Sequence, residues 1–332
     1  MAMNKRVLLK SRPKGWVTED NFEIAEAPFP TPGEGQVLVR NHWLSLDPYM
    51  RGRMNDTKSY AAKAELGDVM VGGTVGEVLE SRDPSLKKGD FVVGALGWQQ
   101  YGAAPAKTFR KIDTKAAPAQ AHLGVVGMPG VTAWIGLLTI GEPKPGETIV
   151  VSAASGAVGS VVGQIARLKG ARPVGIAGGP EKCRYVVEEL KFDACVDYKS
   201  QDFIKNLEAA TPKGVDVYFE NVGGAVLEAV SRRFNAFARM PLCGLISQYN
   251  EASPLGFSNL PAFLVNRVKL QGFIVSDRLE LWPQALKDLA EWVSTGKIKY
   301  RESIAQGIEN APKAFIGLLK GENFGKQLVK LV

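Results

Sequence analysis

The segment that most constrains this chain lies near its middle: Glu147-Thr-Ile-Val-Val-Ser-Ala-Ala-Ser-Gly-Ala-Val-Gly-Ser160. Thr148 to Ala153 is a short apolar run with the character of a buried strand. Ala154-x-Gly156-x-x-Gly159 follows at once, with Ala154 where the usual glycine pattern has its first member. Val158, Val161, Val162, Ile165 and Leu168 then fall at i, i+3, i+4, i+7 and i+10, one apolar stripe at helical period. Gly170 ends the helix, with Arg167 and Lys169 in its last turn. Strand, small-residue turn and helix in this order are what a dinucleotide pyrophosphate needs. Small residues let the backbone turn tightly and approach the anion, and the helix start offers unpaired N–H groups and a positive dipole end. Ser155, Gly156, Ala157, Val158 and Gly159 are the expected pyrophosphate contacts.

With 332 residues the chain has room for two domains, each with its own core. A hydrophobic share of 45% and a charged share of 23% fit a soluble globular enzyme. The 36 glycines are scattered and no internal period stands out, which excludes collagen-like and solenoid folds. A net charge of +7, spread without a block of like charges, argues against a nucleic-acid stripe and suits a polyanionic small ligand. Cys183, Cys195 and Cys243 are odd in number and widely spaced, so no disulfide framework is expected and a reducing compartment is. Met1-Ala-Met-Asn-Lys-Arg lacks the apolar core of a signal peptide, and no run reaches membrane-spanning length; the cytoplasm is the expected location.

Up to about Leu123 the chain reads as β-rich: Val37–Leu44, Val71–Val78 and Phe91–Val93 have strand character, with a turn at Lys88-Gly89-Asp90. Strands then alternate with helical patterns. Pro173–Ala177 precedes Pro180–Leu190, Ala194–Val196 precedes Ser200–Ala210, and Val215–Phe219 precedes Ala225–Phe234. Further strands fit Arg239–Cys243 and Val268–Val275, although Pro241 cannot donate to a ladder. The alternation predicts a doubly wound parallel sheet with crossover helices. Lys297–Tyr300 and Gln327–Leu331 read as strands and Ala311–Leu319 as a helix, returning the chain to its first part. The expected architecture is α/β, with a Rossmann domain over 126–297 and a β-rich domain from 1–125 and 298–332. The crevice between them is the expected ligand site.

An NAD site usually carries Asp or Glu at the end of the second strand, bonded to the ribose hydroxyls. Here that strand ends Gly175-Ile-Ala-Gly-Gly-Pro-Glu-Lys182, with no acid from Ala177 to Gly179. A carboxylate there would repel a 2′-phosphate; glycines leave room, and Lys182 supplies positive charge within one helical turn. NADP is expected over NAD. His42 and His122 are the only histidines and neither stands at ligand spacing from a cysteine, so no metal is expected.

Several segments match one family. They are Leu44-Ser-Leu-Asp-Pro-Tyr-Met-Arg-Gly-Arg53, Gly72-Gly-Thr-Val-Gly76, Gly127-Met-Pro-Gly-Val-Thr-Ala-Trp134, Ala153-Ala-Ser-Gly-Ala-Val-Gly159, Phe219-Glu-Asn-Val-Gly-Gly224, Cys243-Gly-Leu-Ile-Ser-Gln-Tyr-Asn250, Gly272-Phe-Ile-Val275 and Gly321-Glu-Asn-Phe-Gly-Lys326. On these the chain resembles the zinc-independent medium-chain dehydrogenase/reductases, in the branch of leukotriene/prostaglandin reductases, alkenal double-bond reductases and bacterial curcumin reductases. The resemblance implies a GroES-like catalytic domain around an inserted Rossmann domain, and NADPH-dependent reduction of a carbon–carbon double bond conjugated to a carbonyl. It implies that Lys182 and Tyr198 meet the 2′-phosphate and that Asn221 and Asn323 hold the ribose or phosphate region. Gly272, Phe273 and Val275 would pass the nicotinamide, Tyr249 would be the active-site tyrosine, and Tyr49 would line the substrate pocket. A homodimer paired near Val268–Val275 is also implied.

Reducing an enone puts negative charge on its carbonyl oxygen, and a phenol with a reference pKa of about 10 can donate to it at neutral pH. Tyr249 and a cofactor ribose hydroxyl are rival donors there, and Tyr249 or water supplies the α-carbon proton. Met128 fits core and substrate pocket equally. Trp98 and Tyr101 fit a pocket wall, and Asn221 and Asn323, beside glycines, fit left-handed turns as well as ligand contacts. A quinone reductase on the same scaffold and a non-catalytic NADPH-binding protein are the rival functions.

Overall fold

The structure, a computed structural model, describes residues 3–251, 253 and 256–332. In chain order its strands and helices begin with β1 (Met3–Leu9), β2 (Phe22–Pro28), β3 (Gln36–Ser45), α1 (Tyr49–Arg53), β4 (Thr74–Ser81), β5 (Phe91–Gly94), β6 (Tyr101–Pro105) and β7 (Arg110–Lys111). There follow α2 (Met128–Ile135), β8 (Thr148–Ser152), α3 (Gly159–Leu168), β9 (Arg172–Ala177), α4 (Pro180–Glu188), β10 (Ala194–Asp197), α5 (Phe203–Ala210), β11 (Val215–Phe219), α6 (Gly224–Ser231) and β12 (Phe234–Leu242). Last come α7 (Leu260–Val265), β13 (Lys269–Gly272), α8 (Trp282–Ser294), β14 (Glu302–Gln306), α9 (Ala311–Leu319) and β15 (Lys326–Lys330). The chain divides into two compact units: one runs to Gly124 and resumes over Glu302–Val332, and the other is Val125–Arg301.

The first unit is β-rich. Its main sheet runs β14-β15-β3-β4-β5-β7, with β6 also paired to β3, and β1 and β2 form a separate antiparallel pair. Its core is aromatic: the Trp98 ring stacks on Phe22 at 5.4 Å and meets Phe315 edge-on at 5.6 Å. Burying rings of this size supplies much of the driving force for a small β-rich unit.

The second unit is a doubly wound sheet of six parallel strands in the order β10-β9-β8-β11-β12-β13. Counted from β8 this is the 3-2-1-4-5-6 order of a dinucleotide fold. Every residue of β8 is buried, as its continuous apolar run requires of a central strand covered on both faces. The direction of winding reverses between β8 and β11, which makes their carboxyl ends the switch point.

Local expectations fail where side chains compete with ladders. Lys297–Tyr300 is not a strand; the Gln164 amide of α3 both donates to Lys299 O and accepts from Lys299 N, each at 2.8 Å, so a side chain satisfies that backbone. The strand expected to reach Val275 stops at Gly272, because Asp277 N donates to Ile274 O and Trp282 Nε1 to Val275 O. Pro241 does lie within β12. Its carbonyl accepts from Glu220 N at 3.0 Å, so in this parallel register the missing N–H faces Tyr218 O of β11 and the sheet gives up one ladder bond there. On α3, Val161, Val162 and Ile165 are fully buried but Leu168 is 41% exposed. Ser160, Gln164 and Ala166 are buried as well, so this helix is covered nearly all round and has no single stripe.

Candidate active site

The turn after β8 is built for an anion. Ala153 takes a left-handed conformation at φ 51, so the strained position falls one residue before the Ala154 that replaces the motif's first glycine. A Cβ on Gly159 would lie 2.3 Å from Ala153 O, backbone that cannot step aside, so glycine is obligatory there. Ser160 N returns to Gly156 O and Gly156 N to Ala153 O. The backbone N–H groups of Ser155, Ala157, Val158 and Gly159 find no acceptor among the described residues. Orphan donors at a helix start are the means by which a backbone holds a pyrophosphate.

Beside this turn lie the ends of β9 and β10. The Tyr198 ring, 44% exposed, lies so close over Gly178 that a Cβ there would stand 2.9 Å from the ring. Asp197 Oδ1 accepts from Gly179 N at 2.8 Å and from Lys199 N at 2.9 Å, which braces the Gly178-Gly179 turn and occupies that carboxylate oxygen. Lys182 enters on the first turn of α4. Burial lowers its pKa, and the nearby Lys199 charge lowers it further, against the opposing pull of Glu181. Two ammonium groups that raise each other's cost mark a position where an anion would be welcome. Lys199 was not anticipated from the sequence; only the pairing of β9 with β10 brings it to Lys182.

At the end of β11 two residues tie that strand to β8. Asn221 Nδ2 donates to Ser152 O and Asn221 N to Ser152 Oγ, both at 2.8 Å, so its amide clamps the ends of β8 and β11 together. Its φ is not positive, nor is that of Asn323, so neither fills a left-handed turn. Glu220, fully buried, accepts from Ser152 Oγ at 2.8 Å and from Val222 N at 2.6 Å. Burial raises its pKa, while the Val222 and Gly223 N–H groups and Ser152 oppose the rise. Neither Glu220 Oε2 nor Tyr218 OH reaches a partner within hydrogen-bond geometry among the described residues. The signal for Glu220 was present in Phe219-Glu-Asn-Val, as a charged residue ending an apolar strand.

An open pocket of about 370 Å³ follows at the ends of β12 and β13, lined by Cys243, Gly244, Leu245, Tyr249, Gly272, Phe273 and Asp277 among others. Tyr249 accepts Leu245 N–H on its phenol oxygen at 3.2 Å, which fixes the ring. Phe273 is held edge-on to Phe219 at 6.2 Å. The Val275 carbonyl accepts from Trp282 Nε1 at 3.1 Å. Met128 begins α2, half-buried, its carbonyl taken by Thr132 Oγ.

In the β-rich unit Tyr49 begins α1 and packs against the aromatic core; burial and then the Asp47 charge raise its pKa, so the phenol stays protonated. The segment before it is pinned by Lys326, whose Nζ donates to Leu46 O at 2.7 Å and to Asp47 Oδ1 at 2.5 Å, all buried. Burial lowers the Lys326 pKa, against the charges of Asp47 and Glu302. The Asn323 amide closes a local turn onto Gly325 O at 2.8 Å. Of the two aromatics that fit a pocket wall, Trp98 is fully buried in the core and Tyr101 packs on Phe29 at 4.6 Å. Burial pushes the His122 pKa down to about 4, with Arg110 adding to the fall. Among the described residues no three or more His, Cys, Asp or Glu side chains stand together as a metal site would need.

A six-stranded dinucleotide sheet joined to a β-rich unit drawn from both chain ends defines an oxidoreductase scaffold. Residues 5–112 match a family model described as the N-terminal domain of oxidoreductase, and residues 157–292 one described as zinc-binding dehydrogenase. The chain belongs to the medium-chain dehydrogenase/reductases, in the branch of curcumin, prostaglandin and alkenal reductases. It is 49% identical to the NADPH-dependent curcumin reductase of Escherichia coli (strain K12), over 99% of this chain and 97% of that one. It is 41% identical to the NADP(+)-dependent 2-alkenal reductase of Nicotiana tabacum, over 98% and 97%. Among solved structures, CurA of Vibrio vulnificus in complex with NADPH superimposes with a TM-score of 0.95, at 47% identity and 99% coverage of both chains.

Proposed function

We propose that this protein is an NADPH-dependent reductase of the carbon–carbon double bond in α,β-unsaturated ketones and aldehydes. The observation that carries the cofactor half is the acid-free end of β9, with Lys182 and Lys199 beside it and a row of orphan N–H groups on the adjoining turn. The turn from Ser155 to Gly159 holds the pyrophosphate; Lys182, Lys199 and the hydroxyl of Tyr198 take the 2′-phosphate. Asn221 supports this site by clamping β8 to β11, and Glu220 by fixing the Val222 and Gly223 N–H groups. The names of the relatives support the substrate half.

Bound NADPH supplies a hydride to the β-carbon of the enone. Tyr249 donates its phenolic proton toward the carbonyl oxygen as negative charge gathers there, an interaction typically worth ~3–4 kcal/mol. Its orientation is set by the Leu245 N–H. Gly272 and Phe273 wall the same pocket, and Tyr49 and Met128 contribute to substrate binding. The protein works as a homodimer through the edge strand β13, whose four residues are all exposed, beside exposed Leu260, Leu264, Val265 and Leu279.

The test is consumption of NADPH, followed by its absorbance, with an enone and with the corresponding saturated ketone. Oxidation with the enone alone is expected. Equal oxidation with both would make the protein a carbonyl reductase, and oxidation with quinones alone would favour the quinone-reductase reading.

A further inference from the structure

Cys183 and Cys195 are separated in sequence but meet in the fold. Cys183 follows Lys182 on α4, and Cys195 lies on β10 opposite Gly175 of β9. A Cβ built on Gly175 would stand 2.9 Å from Val186 Cγ1 of α4 and 3.2 Å from Cys195 Sγ. The Cys195 thiol therefore points to the sheet face that α4 covers. Cys183 lies three residues before Val186, on the same side of that helix. Its sulfur receives the Cys195 S–H and lies against the Ala177 backbone. Both thiols are free and only half-buried.

We propose that Cys183 and Cys195 form a dithiol modification site for two-electron oxidants, peroxides or disulfides, and that oxidising it weakens binding at the adjoining 2′-phosphate site. The second clause rests on the cofactor reading above; the first does not.

The two thiols have different roles. Cys183 sits in the first turn of α4, at the positive dipole end and under the Cys195 S–H; that hydrogen bond holds its pKa below the usual thiol range, against burial and the Asp197 charge. The same bond, with burial, pushes the Cys195 thiol up, so it keeps its proton and reacts second. With a peroxide, the Cys183 thiolate attacks one oxygen and the O–O bond breaks, leaving a sulfenic acid and a hydroxide. The Cys195 sulfur then displaces the hydroxyl from the sulfenic sulfur, its proton leaves with that hydroxyl as water, and the S–S bond forms. In sum two thiols lose two electrons and two protons, and hydrogen peroxide becomes two waters. Burial pushes the Cys243 thiol up to about 12, which leaves it inert.

A disulfide draws two sulfurs to about 2.05 Å, far inside a non-bonded contact. Closing that bond ties the first turn of α4, which carries Lys182, covalently to β10 and restricts how Lys182 can reach a phosphate. Losing one hydrogen bond to a charged group is worth about tenfold in affinity.

The purified protein is treated with diamide or hydrogen peroxide, and thiols are counted after denaturation. The count is expected to fall from three to one, with a Cys183–Cys195 cross-link recovered by peptide mapping. The KM for NADPH should rise about tenfold with kcat little changed, reversibly with dithiothreitol. Cys195→Ser protein treated with diamide should show no rise. Persistence of all three thiols, a cross-link between protomers instead, or an internal cross-link with an unmoved KM would overturn the proposal. NADPH binding to the reduced protein, followed by fluorescence, separates the two readings: its absence would sink the cofactor site, while the thiol count still decides the dithiol.

Discussion

At the residue scale, the informative side chains are those whose neighbours leave them little choice. Lys182 has its charge made costly by burial and by Lys199, and a 2′-phosphate would relieve that cost. Lys182→Ala is expected to raise the KM for NADPH by about 10–100-fold, the worth of a charge-assisted bond, and to leave that for NADH nearly unchanged. Steady-state kinetics with both coenzymes checks it; an equal effect on the two would remove Lys182 from the phosphate site. The Lys326–Asp47 pair lies at 5% and 8% side-chain exposure. Lys326→Met strands a buried carboxylate, so a loss of about 3–5 kcal/mol is expected in urea unfolding. Replacing both partners, Asp47→Leu with Lys326→Met, should recover part of it, since the stranded charge is gone while Leu46 O and Ser45 Oγ each lose a partner.

Elements show how local patterns yield to their surroundings. Lys297–Tyr300 has strand composition, but Gln164 reaches it first. Pro241 sits in a central strand at the loss of one ladder bond, its missing N–H facing Tyr218 O of β11 while its carbonyl still accepts from Glu220 N. β13 is the opposite case: a strand with one neighbour, β12, and every residue exposed. An unpaired edge next to apolar side chains such as Leu264, at 80% exposure, is a surface that natural proteins cover. The protein is expected to sediment as a dimer, and Leu264→Asp or Leu270→Pro to shift it toward monomer. A wild-type monomer at micromolar concentration would exclude this edge as the interface.

At the scale of the whole molecule, the proposed reaction calls on no metal ion. In the proposed function the site's chemistry is carried by backbone N–H groups, lysines and a tyrosine. Incubation with a chelator, followed by assay with NADPH and an enone, is expected to leave turnover intact. Loss of activity that added zinc restores would contradict the reading. No helix among the described residues is long and apolar enough to cross a membrane.

Thr148 to Gly159 determined the strand, the tight turn and the helix without help, because steric demand and hydrogen-bond supply there are local. The acid-free Ala177–Gly179 likewise pointed to the coenzyme from composition alone, and short motifs carried the family. Contacts between residues distant in sequence were not legible. Lys199 meets Lys182, Asp47 meets Lys326, Ser152 meets Glu220, and Cys183 meets Cys195 only once strand order and register are set. Trp98 stayed open for the same reason: an aromatic beside a turn looks alike in a pocket wall and in a core, and only Phe22 and Phe315 packing on its ring decides. Sequence determines what a short segment can do by itself; the tertiary fold decides which polar groups leave water together, and there their charges and protons are set.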